Sequence, residues 1–174
     1  ASDAFIASVV GKRVLLDSWD PQAELYIVIV SSGGSYYDAK IMRDMLSKIP
    51  NITLICKYCA SAAGFIFATT PKVKRYVTEK SVLLMHEMYI PKLTAEMAKS
   101  YDFRSLITDS DEFNKTMYSK IGISKEQYEK KIIDKEWNVY DQEIVNLHLA
   151  DKLVKLSCNL YVQRMIPDTC KAKE

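Results

Sequence analysis

The side chains able to do acid–base chemistry at neutral pH are scarce, because the chain contains only two histidines, His86 and His148. Among the hydroxyl groups, Ser61 stands out in "KYCASAAGF", between small residues and directly after a β-branched run. A serine attacks carbonyl carbon when a histidine takes its proton and backbone N–H groups stabilise the oxyanion. His86 ends the apolar run "SVLLMH", whereas His148 falls late in a predicted helix. His86 is therefore the better candidate for the base.

Strand-like and helix-like segments alternate in the part of the chain that carries these residues. Continuous apolar runs indicate strands buried on both faces, and a 3.6-residue period indicates helices. Strands are predicted at 24–30, 51–58, 74–77 and 81–86, and helices at 35–49 and 60–69. Ser35 and Asp38 have capping-box spacing, which predicts that the first of these helices begins right after "SSGG". The order of elements predicts an α/β fold with a mostly parallel sheet.

Three strand ends of this sheet carry reactive or polar groups. They are "SSGG" at 31–34, Ser61 after the second strand, and His86 after a later one. The carboxyl ends of parallel strands lie on one edge of a sheet, where α/β proteins place their sites. The combination favours acyl transfer by Ser61. The alternative, in which Ser61 only caps and packs a helix, stays open on these residues alone.

The second half of the chain reads as mostly helical. A long polar helix is predicted from 93 to 120, and a second helix at 123–132 with Ser124 as its N-cap. A last helix is predicted over 141–154, running into a short strand, and 163–174 is interpreted as a tail.

Taken together, these motifs resemble the proteolytic subunits of Clp proteases, the ClpP family of serine peptidases in the crotonase-like superfamily. In that family a strand ends in Ser-Pro-Gly-Gly, the nucleophile sits in Ala-Ser-Met-Gly or Ala-Ser-Ala-Ala, and the base follows Met-x. The corresponding segments here are "SSGG" (31–34), "ASAA" (60–63) and "LMHEM" (84–88). The resemblance covers most of residues 24–155.

The resemblance implies a repeated ββα spiral with a mostly parallel sheet and a projecting handle helix. We accordingly expect one peptidase domain over 1–155, with 93–132 as the handle region and 156–174 as a C-terminal extension. It further implies Ser61 as nucleophile, His86 as base, and the backbone N–H groups of Gly34 and Ala62 as the oxyanion hole.

The acid of the implied triad follows from the end of the domain. Counting back from Asp151, which matches the family's closing aspartate, the acid position falls on Glu136, and Asp134 is the alternative. The family usually has aspartate there. His148 replaces a glycine of the closing helix, at a backbone position that favours positive φ.

The implied activity is that of a serine endopeptidase that cleaves unfolded polypeptides inside an oligomeric chamber. The resemblance implies homo- or hetero-oligomeric rings, heptameric or tetradecameric, an AAA+ unfoldase as the partner that uses ATP, and no cofactor or metal. Only "DPQA" stands where the family carries a helix that helps form the unfoldase docking pocket. The alternatives are a phage-type or signal-peptide-peptidase-like serine peptidase, the latter with a serine–lysine pair, and a non-catalytic ring subunit.

The composition of the chain indicates which partners, cellular location and cysteine state to expect. The 24 basic and 22 acidic residues give a net charge of +2, which argues against a nucleic-acid or membrane surface as the main partner. No run approaches the ~20 apolar residues of a membrane span. We therefore expect a cytoplasmic protein, or one of an organelle matrix. The cysteines are expected to be reduced, with Cys56 in the core and Cys59 at a turn rather than a zinc or redox pair.

Overall fold

The computed structural model of the chain describes residues 24–88, 101–156 and 172–173. Its main sheet has the strand order β1-β2-β3-β4, and a short strand, β5, pairs with β3 beside this path. The strands are β1 (Leu25–Ser31), β2 (Ile52–Ala60), β3 (Lys74–His86), β4 (Glu136–Tyr140) and β5 (Lys152–Leu153). The pairs β1–β2, β2–β3 and β3–β5 are parallel, and β3–β4 is antiparallel. The predicted α/β fold with a mostly parallel sheet is confirmed.

Five helices lie in the described part of the chain. They are α1 (Tyr36–Leu46), α2 (Ala62–Thr69), α3 (Tyr101–Ile121), α4 (Lys125–Ile132) and α5 (Asp141–Asn146). The Ser35 side chain accepts a hydrogen bond from the Asp38 N–H, and Ser124 forms a full capping box with Gln127, so both predicted helix starts are confirmed. The first residues of the predicted 93–120 helix, 93–100, lie outside the described residues.

The core is centred on α2, which carries the segment after Ser61. All its residues from Ala62 to Ala68 are buried, as its almost wholly apolar sequence requires. Phe65 of α2 packs edge-on against Tyr36 of α1, at 5.0 Å between ring centroids, and stacks on Phe113 of α3 at 5.1 Å. This aromatic cluster fixes α2 relative to two other helices.

The region from 74 to 86 forms one strand rather than the two predicted. Val77 pairs with Cys56, but the next pair in register joins Val82 to Tyr58. Four residues of β3, 78–81, therefore bulge out between two regular stretches. An irregularity of this kind is read from the sequence as a break between strands.

The last helix is shorter than predicted, and the strand before it was not predicted. Helix α5 ends at Asn146, and His148 follows with φ of 58°, so the prediction of helix over 141–154 is wrong beyond 146. A residue in the left-handed region ends a helix, because the chain direction changes there. The expected positive φ at His148 is confirmed.

The C-terminal end is described in part. Strand β6 (Lys155–Leu156) pairs antiparallel with β7 (Ala172–Lys173). The rest of the predicted extension lies outside the described residues. None of the described helices is long and apolar enough to cross a membrane.

The expectation of reduced cysteines is wrong for Cys56 and Cys59, which a disulfide joins. Both residues lie within β2 and are fully buried, so the expected core position of Cys56 is confirmed and the expected turn at Cys59 is not. Residues three apart in a regular strand point to opposite faces. An irregularity in β2, described below, brings the two sulfurs to one face.

Candidate active site

Ser61 lies at the junction of β2 and α2, as the N-cap residue of the helix. Its backbone has φ of 54° and ψ of −124°, and its side chain makes no capping hydrogen bond. A non-glycine residue in this conformation is strained, at a cost of about 1–3 kcal/mol, and such strain is typical of functional sites. The capping alternative for Ser61 therefore loses its basis, because the hydroxyl group does not cap the helix.

Two backbone hydrogen bonds hold Ser61 in this position. Its N–H donates to the Leu84 carbonyl oxygen at 2.9 Å, and its own carbonyl oxygen accepts from the Phe65 N–H at 3.1 Å. Ala60, the residue before it, pairs with Leu84 in the parallel ladder between β2 and β3. Ser61 is thus attached to β3 two residues before His86.

Gly33 supports the serine from the side of β1. A Cβ at this position would stand 2.7 Å from the Ser61 Cβ and 2.7 Å from the Ala60 carbonyl oxygen, and φ is +99°. Only glycine fits such a close approach with a positive φ. Sequence reasoning did not single out Gly33, although the glycine pair in "SSGG" was the available signal.

The N–H groups of the two predicted oxyanion-hole residues lie in different elements, Gly34 in the turn after β1 and Ala62 at the start of α2. The Gly33 N–H donates to Ser31 Oγ at 3.1 Å. By contrast, no acceptor among the described residues binds the N–H of Gly34 or of Ala62. Ala62 begins α2, and the first N–H groups of a helix have no acceptor within it. Backbone N–H groups of this kind stabilise an oxyanion.

His86 is the last residue of β3 and is half-buried. Its Nδ1 lies 2.5 Å from the Glu87 carbonyl oxygen. A carbonyl oxygen can only accept a hydrogen bond, so Nδ1 is the donor of this pair, and in a neutral ring the lone pair is then on Nε2. This tautomer is the one that a general base requires. Within the described residues no hydrogen bond joins the His86 ring to Ser61.

The two candidate acids, Glu136 and Asp134, differ in their position relative to the β3–β4 ladder that contains His86. Glu136 is the direct partner of His86 in the antiparallel β3–β4 ladder. Side chains of directly opposite residues share a face, with Cβ atoms about 5 Å apart. Asp134 precedes β4 and lies outside the ladder, with φ of 56°. The carboxylate of Glu136 is exposed and has no hydrogen-bond partner in the described part of the chain.

An apolar cavity of about 360 Å³ opens beside the glycine turn. Strand β1 forms one wall, and the start of α2 and the inner face of α1 form the other. Met42 and Ile66 are among its lining side chains. As for metals, no group of three or more His, Cys, Asp or Glu residues in the described ranges could hold an ion.

A strained serine at a helix N-terminus and a strand-end histidine on the same sheet edge are residue types that acyl transfer uses, in an α/β fold that places its sites at such an edge. The family model for Clp protease matches residues 1–156, so the chain belongs to the Clp protease family. A relative is the ATP-dependent Clp protease proteolytic subunit 2 of Synechococcus sp. (strain CC9605), 23% identical over 152 residues. The match covers 84% of this chain and 75% of that relative. The resemblance to ClpP is confirmed, and the protein is a ClpP-type peptidase.

Proposed function

We propose that this protein is a serine endopeptidase of the ClpP type, with Ser61 as nucleophile, His86 as general base and Glu136 as the acid. The observation that carries the proposal is the backbone of Ser61, which is strained, does not cap its helix, and is hydrogen-bonded to β3 beside His86. The opposite position of Glu136 in the ladder favours it over Asp134.

The proposed reaction begins when Ser61 Oγ attacks the carbonyl carbon of a peptide bond. His86 Nε2 takes the hydroxyl proton, and the N–H groups of Gly34 and Ala62 donate to the oxyanion. The proton then passes to the leaving amine, which leaves an acyl-enzyme on Ser61. A water molecule, deprotonated by His86, hydrolyses this ester and regenerates the serine.

Glu136 acts through the histidine in this scheme. In the structure the Glu87 carbonyl oxygen accepts from Nδ1. A rotation of the exposed Glu136 side chain brings a carboxylate to Nδ1 instead, where a negative charge stabilises the imidazolium that forms during attack. Two acceptors therefore compete for one proton, and only the charged one favours proton transfer.

We further propose that the chain works in a ring of homo- or hetero-oligomers that encloses the serines, with unfolded polypeptide as substrate. The name of the Synechococcus relative, an ATP-dependent proteolytic subunit, supports a partner that uses ATP. An AAA+ unfoldase is the partner that fits this role. One domain over 1–155 would provide the peptidase, and 156–174 would extend from it.

Ser61→Ala tests the nucleophile directly. We expect it to abolish both peptide cleavage and labelling by a fluorophosphonate probe, because both reactions form a covalent bond to the proposed nucleophile, Ser61 Oγ. Ser32→Ala is the matched control, since it removes an exposed serine from the neighbouring turn and should leave labelling unchanged. Labelling that survives in Ser61→Ala would refute the assignment.

A further inference from the structure

The disulfide between Cys56 and Cys59 lies in β2, close to Ser61 in sequence and in the same strand–helix unit. Its Cα atoms are 5.9 Å apart, and both residues are 0% exposed. Three steps along a regular strand span about 10 Å and reverse the side-chain direction. The strand must therefore be interrupted between the two cysteines.

A β-bulge provides this interruption. On β1 the register partners of Cys56 and Cys59 are Ile29 and Ser31, which are only two residues apart. Three steps along β2 match two steps along β1, so β2 contains one extra residue. The extra residue returns both cysteine side chains to one face of the sheet, where their sulfurs can bond.

Hydrogen bonds from β3 hold the same bulge from the other side. Ser81 Oγ donates to the Cys56 carbonyl oxygen at 2.7 Å and accepts from the Thr78 N–H at 2.8 Å. A side chain thus satisfies a carbonyl group that the interrupted ladder leaves unpaired. The disulfide and this hydroxyl group together fix the shape of the bulge.

The position of Ser61 depends directly on the shape of the bulge. Cys59 is followed by Ala60, which pairs with Leu84, and then by Ser61, whose N–H donates to the same Leu84. On the other side Gly33 approaches the Ser61 Cβ so closely that no further atom fits. A shift of β2 at the bulge therefore moves the serine relative to its neighbours.

We propose that the Cys56–Cys59 pair is a thiol–disulfide exchange site that sets the reactivity of Ser61. The co-reactant is a dithiol. One of its thiolates attacks a protein sulfur to form a mixed disulfide, and its second thiol resolves this intermediate. Two electrons and two protons pass to the protein, which gains two thiols, while the dithiol becomes a disulfide. The proposal rests on the function proposed above for Ser61.

Reduction of the Cys56–Cys59 disulfide changes the geometry of β2, because two non-bonded sulfur atoms stand farther apart than two bonded ones. A disulfide bond is about 2 Å long, whereas non-bonded heavy atoms separate to about 3.5–4 Å. Both cysteines are completely buried, so the added separation has to come from the bulge. Burial also makes exchange slow, because the strand must open locally before a dithiol reaches the sulfurs.

The experiment compares the full chain in its oxidised and dithiothreitol-reduced forms. Peptide mapping without reduction should find Cys56 cross-linked to Cys59. The rate of fluorophosphonate labelling at Ser61 should fall roughly tenfold or more on reduction and recover on reoxidation, since misplacement by about 1 Å can cost about 10²-fold in rate. Hydrogen exchange at the Ser61 amide should become faster on reduction, and this readout needs no catalysis.

Two double variants distinguish the effect of reducing the Cys56–Cys59 disulfide from any effect of the other two cysteines. In the double variant Cys56→Ala with Cys59→Ala, Ser61 should be labelled slowly, and dithiothreitol should not change the rate. In the double variant Cys158→Ser with Cys170→Ser, dithiothreitol should slow labelling as it does in the wild type. Absence of the cross-link, or equal labelling and equal amide exchange in both forms, would overturn the proposal. If Ser61 is never labelled but its amide exchange responds to reduction, the proposed peptidase function fails, and the coupling of the disulfide to Ser61 stands.

Discussion

At the scale of single residues, two backbone positions with positive φ lie together in the proposed site: Ser61 has φ of 54°, and Gly33, which packs against it, has φ of +99°. Ser61 and His86 are predicted as catalytic residues from their types and from their places after apolar runs, both of which are visible in the sequence. The contact of Gly33 with the serine could not be predicted, since it joins residues from two different strands. The Glu87 carbonyl oxygen, which lies within hydrogen-bond distance of His86 Nδ1, was also not predicted, because the contact depends on the backbone conformation after β3 rather than on residue type.

Gly33→Ala should inactivate the protein even though it changes no reactive group. The new Cβ would lie 2.7 Å from the Ser61 Cβ and from the Ala60 carbonyl oxygen, so the turn or the serine must move. We expect probe labelling of Ser61 to fall by about 10²-fold or more. Gly122→Ala is the control, because Gly122 also has a positive φ, of +79°, but its Cβ would meet nothing within 4 Å. If both variants label equally well, the contact has no catalytic role.

The two candidate acids can be separated by charge-neutral substitutions. Glu136→Gln should lower kcat/KM for peptide cleavage by about 10²–10⁴-fold, because an amide stabilises neither the imidazolium nor the required tautomer. Asp134→Asn should change it by less than about threefold, since Asp134 is outside the ladder that holds His86. Equal KM values with reduced kcat would place the effect in the chemical step. A larger loss in Asp134→Asn would reverse the assignment.

At the scale of secondary-structure elements, prediction succeeded where local signals decide the outcome. Ser35 and Ser124 mark helix starts by capping, and the continuous run "ELYIVIV" identifies β1. Prediction failed where the structure depends on pairing between strands. The bulges of β2 and β3 are examples, and so is strand β4, whose five residues form a ladder only because β3 lies beside them. The disulfide was missed for the same reason, because its geometry depends on the bulge.

The far end of α2 is held by a buried arginine, opposite to the end that carries Ser61. Arg75 Nε donates to the Phe67 carbonyl oxygen at 2.9 Å, and its Nη2 donates to that of Thr70. Its backbone N–H donates to Asp151 Oδ2 at 2.7 Å, and its carbonyl oxygen accepts from the Asp151 N–H at 2.8 Å. Burial lowers the pKa of Arg75. Asp151 thus aligns the strand from which the arginine reaches the helix.

Arg75→Met should destabilise the fold. It leaves the carbonyl groups at the end of α2 buried without donors, at about 1–3 kcal/mol for each group. We expect the free energy of unfolding in urea to fall by about 3 kcal/mol or more. Lys74→Met is the matched control, because Lys74 forms an exposed pair with Glu24 and should cost at most about 1 kcal/mol. Equal losses in the two variants would contradict the role of Arg75.

At the scale of the whole molecule, the sheet leaves a row of apolar side chains exposed. Val30, Tyr58, Val82 and Tyr140 are register partners across four strands. Of these, Val30 is 58% exposed and Tyr140 52% exposed. Exposed apolar patches are typical of protein–protein contacts. Because we propose assembly into rings, we expect a neighbouring copy to cover this row, on the face of the sheet that also carries His86 and Glu136.

Tyr140→Glu should weaken this assembly without unfolding the subunit. The substituted carboxylate is solvated in the monomer, where the side chain is half exposed, but loses water without a partner when a second copy packs on it. Native mass measurement should shift toward the 19.9 kDa chain, and circular dichroism should not change. Tyr37→Glu is the control, since Tyr37 is an exposed tyrosine of α1 outside the row. An unchanged mass for Tyr140→Glu, or an equal shift for Tyr37→Glu, would place the contact between copies elsewhere on the molecule.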